Sequence, residues 1–143
     1  MMSQNLNEIP KEFLKQPPAT SAEIEEFVQK CQKEFKILLP EEYIDFLKIH
    51  NVLFYDELQI FATDKLPIAG YNDRFINSFI EMNLIRENAK IDRLTLGKDN
   101  GPEELVFNLV TKEYEIIDPV GQRTYEKYLS FGAMLIGCVK TRL

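Results

Sequence analysis

The chain of 143 residues has the size of one domain, and its 45% hydrophobic and 28% charged residues exclude a disordered or collagen-like protein. Acidic residues outnumber basic ones by 23 to 17, and the net charge of −6 disfavours direct binding to a nucleic-acid backbone. The longest apolar stretch, residues 129–139, is shorter than the roughly 20 residues of a membrane-spanning helix. Residues 1–15 lack the apolar core of a signal peptide, so we expect a cytoplasmic protein that does not act on a membrane.

The chain begins with a predicted lead-in segment, residues 1–19, that ends shortly after two prolines, and we expect one domain over residues 20–143. Thr20 and Glu23 have the spacing of a capping box, in which each side chain satisfies a free amide at a helix start. Apolar residues at helical spacing follow, which predicts an amphipathic helix containing Ile24, Phe27, Val28, Cys31 and Phe35.

A second helix is predicted to start at Pro40, where the missing amide costs nothing, and to end near Asn51. Alternation of apolar and polar residues predicts a strand at 58–63, and a loop is expected at 66–67 and 70–72. The spacing of apolar residues then predicts a helix from Phe75 that ends before Ala89.

Short apolar runs at 94–97, 104–110 and 114–118 are separated by turn residues, so they predict antiparallel strands joined by tight turns. A last helix is predicted from an apolar stripe that comprises Tyr125, Tyr128, Leu129, Gly132, Leu135, Ile136 and Val139. The fold class expected from this order is α+β, with an antiparallel or mixed sheet of four or more strands flanked by about four helices.

One string carries a family resemblance. Leu39-Pro40-Glu41-Glu42-Tyr43, followed by Phe46-Leu47, resembles the N-terminal part of SUKH superfamily proteins. The runs at 94–101 and 104–109 resemble the paired strands of that superfamily, and Ser130-Phe131 resembles the start of its closing helix. This resemblance implies a sheet flanked by helices. It also implies a protein-binding role, because the superfamily groups bacterial immunity proteins, which neutralise toxin domains, with a yeast cell-wall assembly regulator.

The residues give no indication of catalysis, a metal or a cofactor. His50 is the single histidine, and Cys31 lies on the apolar stripe of the first helix, where a packed, protonated thiol is expected. Asp99-Asn100-Gly101 has the residues of a turn without the full spacing of a calcium loop, and no glycine-rich phosphate loop opens a helix. We therefore predict a non-enzyme without cofactor, and both cysteines, Cys31 and Cys138, as reduced core residues.

The candidate partner surface combines aromatic and acidic residues. Aromatic rings supply buried contact area and carboxylates attract a basic partner, which favours a surface formed by Phe54, Tyr55, Asp56, Glu57, Glu103 and Glu104. The expected partner is a cognate toxin domain, for example a basic nuclease, whose active site the chain would occlude. The alternative is a non-catalytic regulatory or scaffold module for endogenous partners, and the sequence leaves the oligomeric state open.

Overall fold

The computed structural model describes residues 14–15, 19–49, 53–55, 58–64, 66–67, 75–76, 78–85, 92–99, 103–118, 120 and 123–140. Four helices lie within these ranges: α1 Ser21–Phe35, α2 Glu41–Leu47, α3 Phe79–Ile85 and α4 Phe131–Lys140. The same ranges contain nine strands: β1 Leu14–Lys15, β2 Leu53–Tyr55, β3 Leu58–Ile60, β4 Leu66–Pro67, β5 Phe75–Ile76, β6 Arg93–Lys98, β7 Glu104–Asn108, β8 Tyr114–Asp118 and β9 Arg123–Tyr128.

Seven of the strands form one sheet in the order β1-β2-β3-β6-β7-β8-β9, and β4 pairs with β5 separately. All of these strand pairs are antiparallel. The predicted α+β class, with a sheet of four or more strands and four helices, is confirmed. Leu14–Lys15 of the predicted lead-in segment pairs with β2, and the predicted domain boundary at residue 20 stays a prediction.

The start of α1 is the capping box that the sequence predicts. The Thr20 hydroxyl accepts a hydrogen bond from the Glu23 amide at 3.1 Å, and the Glu23 carboxylate accepts one from the Thr20 amide at 2.8 Å. Both bonds satisfy amides that have no partner inside the helix. Ile24, Phe27 and Cys31 are buried along one side of α1, which confirms the predicted amphipathic helix.

Helix α2 is shorter than predicted. Pro40 is its N-cap rather than its first residue, and the helix ends at Leu47. The Ile49 amide donates to the Phe46 carbonyl at 2.9 Å, a tight i to i+3 bond that closes the helix. His50 and Asn51 lie outside the described residues.

Two elements around residue 75 differ from the prediction. Phe75–Ile76 is a strand that pairs with Leu66–Pro67, where the sequence predicts a helix and a loop respectively. Helix α3 begins only at Phe79, because the Ser78 hydroxyl accepts a hydrogen bond from the Glu81 amide at 3.1 Å and caps it. A short apolar run does not distinguish helix from strand, and here the pairing of β4 with β5 determines the outcome.

The final helix is also shorter than predicted, since Tyr125 and Tyr128 belong to strand β9. Helix α4 starts at Phe131, and the Ser130 hydroxyl accepts a hydrogen bond from the Ala133 amide at 3.0 Å. Strand β9 was missed because it is an exposed strand of mixed charge, which lacks the apolar alternation of a half-buried strand.

The hydrophobic core lies between the four helices and one face of the sheet, here called the helix face. Leu94, Leu105, Phe107, Tyr114 and Ile116 line this face. Aromatic rings from all four helices meet above it in edge-on or tilted contacts, with centroids 5.4–6.4 Å apart, among Phe27, Tyr43, Phe46, Phe79 and Phe131. The Tyr43 hydroxyl, which is fully buried, donates to the Phe61 carbonyl at 2.6 Å, so its polar group is satisfied inside the core.

The opposite side of the sheet, here called the second face, is buried as well and carries polar residues. Thr95, Glu104 and Glu115 are at most 3% exposed. Asn83 of α3 binds the Thr95 backbone: its side-chain oxygen accepts from the amide at 2.8 Å and its side-chain nitrogen donates to the carbonyl at 2.8 Å. At Thr95, the Asn83 side-chain amide thus forms the two backbone hydrogen bonds that a neighbouring strand would form with β6.

Candidate functional site

The predicted partner-binding residues that the structure describes, Phe54, Tyr55, Glu103 and Glu104, lie toward one end of the sheet. The register runs from Phe54 through Gln59, Lys98 and Glu104 to Ile117 in successive strands. Phe54 and Tyr55 are in β2, and their side chains lie outside what the structure describes. Strands β2 and β7 are three positions apart, a distance of about 14 Å. Asp56 and Glu57 lie outside the described residues.

Glu103 and Glu104 occupy opposite sides of the sheet. Glu104 is the first residue of β7, is 3% exposed on the second face, and accepts a hydrogen bond from the Thr95 hydroxyl at 3.5 Å. Glu103 is partly exposed and lies at the turn between β6 and β7, where its carbonyl accepts from the Asp99 amide at 3.0 Å. Of this pair, Glu103 is therefore the one that a partner can reach, and a partner-binding role for the six residues stays a prediction.

Glu103 lines a cleft that the sequence did not reveal. This acidic cleft has a volume of about 160 Å³ and lies where the C-terminal half of α4 passes the end of β8 and β9. Its walls carry the carboxylates of Asp99, Glu103 and Glu126 and the rings of Tyr125 and Tyr128. The remaining lining residues are apolar or small, namely Ile116, Gly137 and Cys138. Among the described residues that line the cleft, none is basic.

Hydrogen bonding and burial set the charge of the acidic cleft. The Tyr128 hydroxyl donates to the Glu126 carboxylate. Burial, then this hydrogen bond, raises the pKa of Tyr128 above its usual range, so the phenol stays neutral at physiological pH. The C-terminal end of a helix carries a partial negative charge. Gly137 and Cys138 lie in the last turn of α4, so this end of the helix adds negative potential to the cleft. The acidic cleft therefore favours a cation.

The aromatic part of the site is at Tyr125. Its ring is 48% exposed, and the Arg123 guanidinium lies 5.9 Å from the ring centroid, within the range of a cation–π interaction. Tyr125 is also the extra residue of a bulge, since Ile116 pairs with Glu126 and Ile117 pairs with Thr124. Sequence reasoning placed Tyr125 on a buried helix and so missed it. The alternating charges of residues 123–128 were the available signal.

A second cleft of about 140 Å³ lies between α1 and the segment after β3. Its lining includes Lys30, whose ammonium group lies 3.1 Å from the Glu26 carboxylate. An acidic side chain here already has a cation beside it.

The cysteines have the environment of packed thiols. Both are free and buried, as predicted. Burial raises the pKa of the Cys31 thiol to about 12, so the nucleophilic thiolate is scarce at neutral pH. Among the described residues, no group of three or more histidine, cysteine, aspartate or glutamate side chains is arranged to hold a metal ion.

The raised pKa of Cys31 predicts a loss of stability at high pH. Its pKa rises from 9.0 to about 12 on folding, so its contribution is complete below pH 9 and is lost as the pH rises toward about 12. The expected slope is about 1.4 kcal/mol of unfolding free energy per pH unit. Urea unfolding at several pH values should show a smaller alkaline loss in Cys31→Ala than in wild type. Burial also raises the pKa of Tyr43, so both proteins lose stability, and equal slopes would contradict the prediction.

The fold and the acidic cleft define a single-domain α+β protein with helices packed on one face of an antiparallel sheet and an anionic cleft at the sheet's end. Residues 18–137 match the model of the SMI1 / KNR4 family (SUKH-1), and the chain belongs to this family, which confirms the resemblance to the SUKH superfamily. Family members are generally non-catalytic protein-interaction modules. A search of curated proteins gives no match. Among the described residues, the helices are too short or too polar to cross a bilayer.

Proposed function

We propose that this chain is an immunity protein that binds a cognate toxin domain and neutralises it by occluding the active site. Membership of the SMI1 / KNR4 family over residues 18–137 is the observation that carries this proposal. In this mechanism the chain performs no chemistry of its own. Its effect depends on affinity, because the toxin is inactive for as long as the complex persists.

The charge of the chain supports a basic partner. The net charge is −6, and the acidic cleft adds a local concentration of carboxylates beside the exposed ring of Tyr125. Opposite charges raise the rate of association, while a buried aromatic ring contributes contact area. A nuclease with a basic substrate cleft has the complementary charge. A protein that inhibits such an enzyme competes with nucleic acid for the same surface.

A second candidate function is a regulatory or scaffold role with endogenous partners. The superfamily resemblance favours it, because this superfamily includes a cell-wall assembly regulator as well as immunity proteins. Both roles require protein binding, so the fold is compatible with either. The identity of the bound protein distinguishes them.

The test is recovery of the partner from the native host. The tagged full chain is purified with its bound proteins, and any toxin domain recovered is co-expressed with the chain in a bacterium that the toxin kills. We expect a basic toxin domain to be recovered and growth to be restored. Recovery of endogenous regulatory or structural proteins alone would contradict the immunity role and support the second candidate.

Charge reversal tests the predicted surface with the same partner. Asp56→Lys combined with Glu57→Lys, and separately Glu103→Lys, should each weaken toxin binding about tenfold or more. The matched controls on the exposed side of α1 are Glu25→Lys combined with Glu34→Lys, and Glu25→Lys alone. These produce the same change in net charge. A toxin that binds all variants equally would show that the surface is elsewhere.

A further inference from the structure

Strand β9 is the edge of the sheet and borders the acidic cleft. We propose that β9 receives an extended segment of the partner protein as an added strand, with a lysine or arginine of that segment entering the acidic cleft. The inference rests on the proposed function, in that the ligand is a protein. It adds the mode of binding, which is strand addition at β9, and the basic character of the segment that binds.

Strand β9 is the last strand in the order of the sheet, within the part of the chain that the structure describes. The strand pairs with β8 through partners that run from Tyr114 with Tyr128 to Asp118 with Arg123. In the part of the chain that the structure describes, no other strand lies beside it. The edge of a sheet presents N–H and C=O groups that can form the same ladder with an incoming chain. The backbone of β9 therefore provides a binding template.

The side chains of β9 leave this edge accessible. Arg123, Tyr125, Glu126 and Lys127 are exposed, whereas every residue of β8 except Asp118 is buried. An incoming strand would meet solvated side chains and would not have to displace the core. Strand β9 thus differs in exposure from its neighbour β8.

Several registers of a second copy of this chain are disfavoured at this edge. In a two-fold dimer of antiparallel β9 strands, the axis passes through one residue position, which pairs with its own copy. An axis at Glu126 or at Lys127 places like charges directly opposite. An axis at Tyr125 places Arg123 opposite Lys127. Like charges in opposing positions destabilise strand pairing, so these three registers are disfavoured, whereas an axis at Thr124 would place Arg123 opposite Tyr125 without opposing like charges.

The acidic cleft specifies a basic segment. Glu126 belongs to β9, and Asp99 and Glu103 lie at the other side of the same cleft. Three carboxylates around a cleft of about 160 Å³ give it a negative charge that complements a cationic side chain. An ammonium or guanidinium group on a flexible side chain fits this description. Next to the cleft, the ring of Tyr125 already contacts the Arg123 guanidinium, so it is suited to stack on a cationic group.

A synthetic peptide tests the docking edge without the toxin. The probe is a capped eight-residue peptide in which lysine alternates with valine and threonine, added to the isotope-labelled full chain. One control peptide has glutamate in place of lysine, and another carries N-methyl groups on alternate amides, which removes strand pairing while keeping the charge. Amide hydrogen exchange, followed by NMR, reports which backbone groups become protected.

We expect the lysine peptide to slow exchange at β9 amides, and the glutamate and N-methylated peptides to bind at least tenfold more weakly. Glu103→Lys should weaken binding of the lysine peptide about tenfold relative to Glu25→Lys, which carries the same charge change on α1. Protection elsewhere, equal binding of the N-methylated peptide, or no binding at millimolar peptide would overturn the inference.

The two proposals can fail separately. If the chain neutralises a toxin but its β9 amides exchange as fast in that complex as in the free protein, the docking edge is wrong and the immunity role stands. If the lysine peptide protects β9 but only endogenous proteins are recovered from the host, the docking edge stands and the immunity role is wrong.

Discussion

Gly97→Ala is expected to destabilise the protein by about 3 kcal/mol or more. Gly97 lies in β6, directly opposite Ile60 of β3. A methyl group on Gly97 would overlap the Gln59 carbonyl oxygen and lie 3.2 Å from the Ile60 Cα. Both are backbone atoms, so no change of side-chain rotamer relieves the overlap. The strands β3 and β6 would have to separate. This would break the pairing that joins strands β1 to β3 with strands β6 to β9.

Urea unfolding measures this effect, and Gly137→Ala is its matched control. A methyl group on Gly137 would lie 2.7 Å from the Tyr128 hydroxyl oxygen, which is at the end of a side chain that can turn aside. Alanine also favours the helical conformation of α4 by about 1 kcal/mol over glycine. We expect the control to change stability by no more than about 1 kcal/mol. A Gly97→Ala protein with wild-type stability would show that β3 and β6 are farther apart than the structure indicates.

Glu115→Gln is expected to cost about 3 kcal/mol of stability. The Glu115 carboxylate is buried on the second face, with a side-chain exposure of 1%. It accepts hydrogen bonds from Arg93 at 3.2 Å, Asn108 at 3.2 Å and Thr124 at 3.3 Å. Glutamine has nearly the same shape but no charge, and its amide nitrogen would face one or more of these donors. The partly buried Arg93 guanidinium would then lose the Glu115 carboxylate as its charged acceptor.

Glu113→Gln is the matched control for this substitution. Glu113 lies two residues away, and its carboxylate is 3.9 Å from the Lys127 ammonium, with side-chain exposures of 28% and 56%. Exposed ion pairs of this kind contribute at most about 1 kcal/mol. Chemical denaturation of both variants at neutral pH gives the comparison. Similar losses in the two proteins would mean that the Glu115 network does not stabilise the fold.

The candidate site was only partly predictable. Glu103 was selected as an acidic residue near a strand, and the structure places it in the acidic cleft. Glu104, selected by the same reasoning, is buried on the opposite side. Adjacent residues of a strand point to opposite faces. Glu103 and Glu104 therefore cannot both contribute to a partner surface on one face of the sheet. Asp99 was interpreted as a turn residue, and its place beside Glu126 depends on how β9 pairs.

Features that depend on neighbours along the chain were readable from the sequence. The capping box at Thr20 satisfies its own helix, and β6, β7 and β8 are consecutive strands whose turns and apolar runs lie within a few residues of one another. The SUKH likeness belongs to this group too, since it lies in a contiguous string. Strand β9 and the acidic cleft belong to the other group. An exposed, charged segment becomes a strand only because β8 offers it a backbone to pair with, and carboxylates far apart in sequence meet only when the sheet and α4 have packed together.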